Sequence, residues 1–251
     1  MIKFFNKVRK GSLDENKLSK YLKYAVGEII LVMIGILLAL QVNTWNTNRE
    51  LKKEEQKILK SLHKEFGQNL NMLDTAYEFH LNRRHCIETI VEIDPKPISL
   101  DSLRTILLCT QRNYTYDAFQ GIYNSVINSG KIELISNDLL KGKISGFQDL
   151  LMDYQEDEDG TKEFAFQTLH KYVVSEGVLD NYNFFRKKVL LSKDEEIRTK
   201  EKYIKLINSD VFKSNLTLLS GWMVSIFDEA PILREEMVSI INLLEEEIES
   251  Q

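Results

Sequence analysis

AVGEIILVMIGILLALQV, running from Ala25 to Val42, decides how this chain is read. Its 18 residues would form a helix about 27 Å long, close to the roughly 30 Å hydrocarbon core of a bilayer. Nine of the twelve residues from Ile29 to Leu40 are Ile, Leu or Val, and each favours insertion by about 0.3–0.6 kcal/mol. Glu28 is the one ionisable group in the run. It lies near the edge, where an acid costs less than the roughly 2.5–3.5 kcal/mol of a charged residue at mid-bilayer. The run is expected to be a transmembrane helix.

Its flanks support that expectation. Tyr21 and Tyr24 precede the run and Trp45 follows it, as interface anchors do, with amphipathic rings at headgroup level. A cleaved signal peptide would share the basic start, but no small-residue cleavage pattern follows and 24 residues make a long leading region. A buried core helix would have no use for the aromatic flanks. Residues 1–24 hold seven Lys and Arg, against five among residues 43–60 that are interleaved with Glu. The positive-inside rule then places the N-terminus in the cytoplasm. The expected organisation is a basic cytoplasmic tail at 1–24, a span at 25–42 in the inner membrane, and a periplasmic domain at 43–251.

The basic start with Phe4 and Phe5, the stretch ENKLSKY from Glu15 to Tyr21, and the core YAVGEIILVMIGILLALQ from Tyr24 to Gln41, closed by Trp45 and Asn46, together resemble an uncharacterised family. It is the domain-of-unknown-function family six thousand and ninety, single-span membrane proteins of flavobacteria and related Bacteroidota. SGKIELISNDLL, Ser129 to Leu140, looks like that family's turn between two helices. The resemblance implies a bacterial membrane protein of about this length. It brings no activity and no functional residue with it.

Beyond the span the chain reads as all-α, an irregular helical bundle. Only three prolines and eleven glycines punctuate 251 residues, a balance that favours long helices. Ile58, Leu62, Phe66, Leu70, Leu73, Tyr77 and Leu81 recur at three- and four-residue spacing, so a striped helix runs on from the span until Asp94-Pro95-Lys96-Pro97 stops it. Ser99 offers an N-cap for a short helix to about Thr110. A second short helix is expected from about Tyr116 to a left-handed cap at Gly130. Ser136 or Asn137 caps a longer helix to about Ser175, with Leu139, Leu140, Ile144, Phe147, Leu151 and Tyr154 facing inward and a break at the DEDG stretch. A polar loop at 176–192 leads to a helix from about Asp194 to Asn208. The last helix starts near Ser209, is broken or kinked at Pro231, and carries a seam of Leu233, Met237, Ile240, Leu244 and Ile248.

The charge pattern excludes some partners. The tail carries +5, and removing it and Glu28 from the total of −5 leaves about −9 beyond the span. Such a domain repels nucleic acid. Cys86 and Cys109 are too few for a disulfide scaffold and form no C-x-x-C pair. They read first as two buried thiols, with pairing in an oxidising compartment left open.

No catalytic, cofactor-binding or metal-ligating residue is expected. His80 and His85 fall about 140° apart around a helix, which leaves them on a solvated face, not a metal site. Asp157, Asp159 and Gly160 mimic part of a calcium loop, but Gln155 and Phe166 occupy its two end positions where acids are required, so the stretch reads as a solvated acidic turn. No phosphate loop, dinucleotide fingerprint or nucleophile elbow occurs. Gly27, Glu28 and Gly35 are the candidate packing face of the span. The two glycines lie about 80° apart around it, and an intramembrane acid is by default a functional candidate. The bilayer is one expected partner, and a membrane protein or a second copy the other. The chain is expected to be a non-enzymatic accessory or scaffold subunit, with a periplasmic ligand-sensing module acting through a separate effector as the alternative.

Overall fold

The computed structural model describes residues 15–178 and 191–249. Most of the basic tail and of the loop expected at 176–192 lies outside the described residues. The elements are helical throughout: α1 (Glu15–Glu92), α2 (Leu100–Gln111), α3 (Gly121–Asn128), a 3₁₀ turn (Lys131–Leu134), α4 (Asp138–Phe164), a π-helical turn (Ala165–His170), α5 (Lys171–Ser175), α6 (Lys193–Ile207) and α7 (Asp210–Glu249). The all-α reading holds. The chain divides into two units, residues 1–56 and 57–251.

In the first unit α1 is exposed along its apolar stretch, with Ile29, Leu31, Ile36, Leu38 and Leu40 each more than half open to the surroundings. In the second unit α1 buries a regular seam: Leu59, Leu62, Phe66, Asn69, Leu73, Ala76, His80, Arg83, Ile87 and Ile90. These positions alternate in steps of three and four, the heptad spacing that keeps one stripe against a partner helix. α4 does the same from Leu140 through Tyr154, Glu158 and Thr161 to Ala165, and α7 from Phe212 to Leu244. In the continuation through Leu169 and Val173 the step becomes four and four. The π turn falls there, and its wider winding keeps the buried face in line.

Local signals set most of the ends. Ser99 accepts from Ser102 N–H and starts α2. Asn137 accepts from Leu140 N–H and starts α4. Ser192 and Glu195 form a capping box on α6, and Gly130 takes φ 71° ahead of the 3₁₀ turn.

Several expectations are corrected. Residues 112–120 are not helical, so α3 starts later than Tyr116. DEDG does not break α4: Gly160 lies within the helix, beside the Trp222 ring, which an added Cβ would meet at an ordinary contact distance of 3.4 Å. α7 is not broken at Pro231, its buried seam being continuous on both sides of the proline. Leu139 is 60% exposed because the seam starts one residue later. The acidic stretch is not a turn, and it includes a buried Glu158.

Cys86 and Cys109 form a disulfide between α1 and α2, in place of the two free thiols read from their number. Pairing needs the two Cα atoms close, and here they are 6.2 Å apart.

Candidate functional site

Two hydrophobic clusters make up the second unit. One gathers Ile58 to Ala76 of α1 with Leu140 to Tyr154 of α4 and Ile226 to Leu244 of α7. The other gathers Ile87 and Ile90 with α2, α6 and Phe212 to Met223 of α7. Between them, on the same heptad positions, lie His80, Arg83, Glu158, Thr161 and Thr110, all buried. This polar layer is where the unit departs from a plain apolar core.

Glu158 is its centre. Its Oε1 accepts from His80 Nε2 at 2.9 Å and from the Tyr154 hydroxyl at 3.0 Å, while Oε2 accepts from the backbone N–H of Tyr116 at 2.6 Å. His80 and Glu158 side chains are each 1% exposed. Nε2 faces the carboxylate, and Nδ1 is buried with no hydrogen-bond partner among the described residues. Burial, then the nearby Glu158 charge, pushes both tyrosine hydroxyls, Tyr116 and Tyr154, well above the ordinary phenol range. They stay neutral donors.

The same logic holds the irregular stretch 112–120, whose backbone has no ladder to join. Asn69 donates to Phe119 C=O at 2.7 Å and accepts from Phe119 N–H at 2.8 Å. Gln155 donates to Tyr116 C=O at 3.2 Å. Glu65 accepts from Ile122 and Tyr123 N–H at 2.8 and 2.7 Å, capping α3, whose own cap residue Gln120 makes no side-chain bond. A carboxylate at a helix N-terminus also meets the positive end of the dipole. α1 and α4 thus write the shape of the segment between them.

Arg83 is fully buried and makes no ion pair among the described residues. Its Nε and Nη2 donate to Thr110 C=O at 3.2 and 3.1 Å, and Nη1 to Asn113 Oδ1 at 3.4 Å. Burial lowers its pKa to about 10, so it remains charged at neutral pH. Beside it, between α1 and α2, lies a groove of about 200 Å³ lined by Phe79, Asn82, Thr105, Leu108, Cys109 and Arg112.

The sequence alone marks none of these residues as functional, and its helical spacing puts His80 on a solvated face, whereas the structure buries it. The available signal was the heptad register: extending Leu59, Leu62, Phe66 by threes and fours lands on Asn69, His80 and Arg83.

The residues that were singled out lie on the first unit. Tyr21, Tyr24 and Trp45 are 63%, 80% and 64% exposed, and the Arg49 guanidinium stands 6.0 Å from the Trp45 ring centre. Tyr24 and Trp45 are 21 residues apart, about 31 Å along a helix. Gly27, Glu28 and Gly35 are exposed, and a Cβ added at either glycine meets nothing within 4 Å. In the single chain this face has no partner among the described residues. Groups of three or more His, Cys, Asp or Glu able to hold a metal ion do not occur among the described residues.

Two helices, α1 and α7, are long and apolar enough to cross a membrane. The most apolar window of α1 has no buried residue, whereas a third of that in α7 is buried, where its seam serves the core. The molecule is therefore an all-α protein with a helical unit built on heptad seams and one wholly exposed apolar helical stretch. The chain belongs to a family of unknown function, DUF6090, whose model matches residues 28–155. Comparison with curated proteins and with solved structures returns no match.

Proposed function

We propose that this chain is a non-enzymatic accessory or scaffold subunit of the inner membrane, with residues 25–42 as its single span and the helical unit in the periplasm. The observation that carries the reading is the exposed apolar stretch of α1, which only lipid or another span would cover. Tyr24 and Trp45, spaced at about the hydrocarbon thickness, fit its two interfaces. The disulfide supports the orientation, because such bonds persist in oxidising compartments, and so does the lysine-rich tail. The residue types of an acid–base centre, His80, Glu158 and Tyr154, are shut from solvent and committed to holding the fold, which favours a role without catalysis.

Gly27, Glu28 and Gly35 form the face that packs on a partner span or on a second copy. Small residues allow close backbone approach there, and an interhelical hydrogen bond from Glu28 is worth about 0.6–2 kcal/mol. A C-terminal alkaline phosphatase fusion should be active and a fluorescent-protein fusion dark, and a stoichiometric protein should co-purify from mild detergent. Gly35→Leu and Glu28→Ala should insert normally yet lose a crosslinked species. An inactive phosphatase fusion with a bright fluorescent-protein fusion contradicts the topology, and unchanged crosslinking in both variants reduces the span to an anchor. The groove beside Arg83 favours a second reading, a periplasmic ligand-sensing module acting through a separate effector.

A further inference from the structure

We propose that the groove between α1 and α2 binds a small organic carboxylate, its anion on Arg112 and its apolar body against Phe79 and Leu108. This holds whether or not the chain is a scaffold, and it names a ligand class for the sensing alternative. Four features converge. First, Arg112 lines the groove and is exposed, and its side chain makes no ion pair or hydrogen bond among the described residues. A free guanidinium offers a planar fork that matches a carboxylate with two parallel hydrogen bonds.

Second, Arg83 follows Asn82 of the groove wall on α1 and grips Thr110, one residue beyond Cys109 of the opposite wall. Its charge meets only neutral acceptors, and burial alone accounts for its lowered pKa. Two cations thus stand at this seam with no carboxylate paired to either among the described residues, an arrangement that leaves both charges available to an anion. Third, Asn82 directs its amide N–H at the Cys109 sulfur at 3.4 Å. Sulfur is a weak acceptor, which a carboxylate oxygen would outcompete.

Fourth, the walls are mostly apolar, from Phe79, Leu108 and Cys109. A volume of about 200 Å³ is below the usual range of drug-sized sites. It suits a molecule the size of benzoate or a short branched acid. Inorganic phosphate or sulfate would leave the aromatic wall unused.

The test uses the full chain in nanodiscs with the disulfide intact. Sodium benzoate is titrated by saturation-transfer NMR, with benzamide and sodium sulfate as neutral and inorganic controls. Benzoate should bind saturably in the millimolar range, and benzamide and sulfate at least about tenfold more weakly. Arg112→Gln should lose benzoate affinity by at least about tenfold with helicity unchanged, since the side chain holds nothing else, and Arg112→Lys should retain part of it. Absence of saturable benzoate binding would overturn the site. Equal binding of benzamide, or of benzoate to Arg112→Gln, would overturn the role of the cation, and sulfate binding as tightly as benzoate would overturn the organic ligand class.

Discussion

One helix, α1, contains two stretches that are both rich in Leu and Ile and are treated in opposite ways. Between Tyr21 and Val42 apolar residues fill every side of the helix, and Tyr24 (80%), Leu31 (73%) and Leu38 (62%) are open. Between Leu59 and Ile90 they occupy a stripe at heptad spacing, and Leu59, Leu62 and Ile90 are 0% exposed. Hydrophobic content differs, with 17 of the 22 residues from Tyr21 to Val42 apolar against 13 of the 32 from Leu59 to Ile90. Arrangement decides how each is covered, because a stripe can be buried by neighbouring helices of the same chain, whereas an all-round apolar surface asks for an apolar solvent.

The contrast is sharpest in substitutions. Phe66 is 2% exposed and meets Phe147 edge to face at 4.9 Å. Phe66→Ala should cost about 3–5 kcal/mol, read as a loss in chemical or thermal unfolding of the full chain. Leu37→Ala in the exposed stretch, by contrast, should leave the melting of the helical unit unchanged. Equal losses would mean that the two stretches share one core.

Next in size is the disulfide, which closes a loop across 23 residues. Chain-entropy arguments give about 3 kcal/mol for a loop of that length, so Cys86→Ser should lower the midpoint of unfolding markedly, and reductant should do the same to the natural chain and nothing to the variant. No change in either case would remove the cross-link from the account of the helical unit.

The smallest expected effect lies on the outer edge of the seam. Burial, with Asp157 and Asp153 close by, pushes the half-buried Glu229 up to about 6. The folded chain therefore holds that proton more tightly than the unfolded one, so ionisation above about pH 6 opposes folding, and the relief comes as pH falls from there towards the ordinary carboxylate range. Glu229→Gln should stabilise at pH 8 by less than about 1 kcal/mol, given solvent screening at a partly open site, and make no difference at pH 4. A loss of stability at pH 8 would show that the carboxylate has a favourable partner.

What was legible in the sequence is what is local. The helix over the apolar run, the proline stop after Glu92, and the caps at Ser99, Gly130 and Asn137 are each decided within a few residues, and each holds in the structure. The polar layer was not legible, because Glu158 meets partners 78 and 42 residues away and only the folded seam brings them together. Non-helical 112–120 is hidden for the same reason, since its backbone partners Asn69, Gln155 and Glu158 lie on two other helices. Of the residues singled out for function, Gly27, Glu28 and Gly35 are displayed on the exposed face, and their role awaits the crosslinking described above.

The account stands most directly on Cys86 and Cys109, which join the fold of the helical unit to the compartment proposed for it. Native membranes would be denatured in a maleimide reagent, with and without prior reduction, and the two cysteines followed by mass spectrometry. The account predicts that neither thiol is labelled until the chain is reduced, after which both are. Full labelling of both without reductant would contradict the disulfide and the oxidising side of the membrane together.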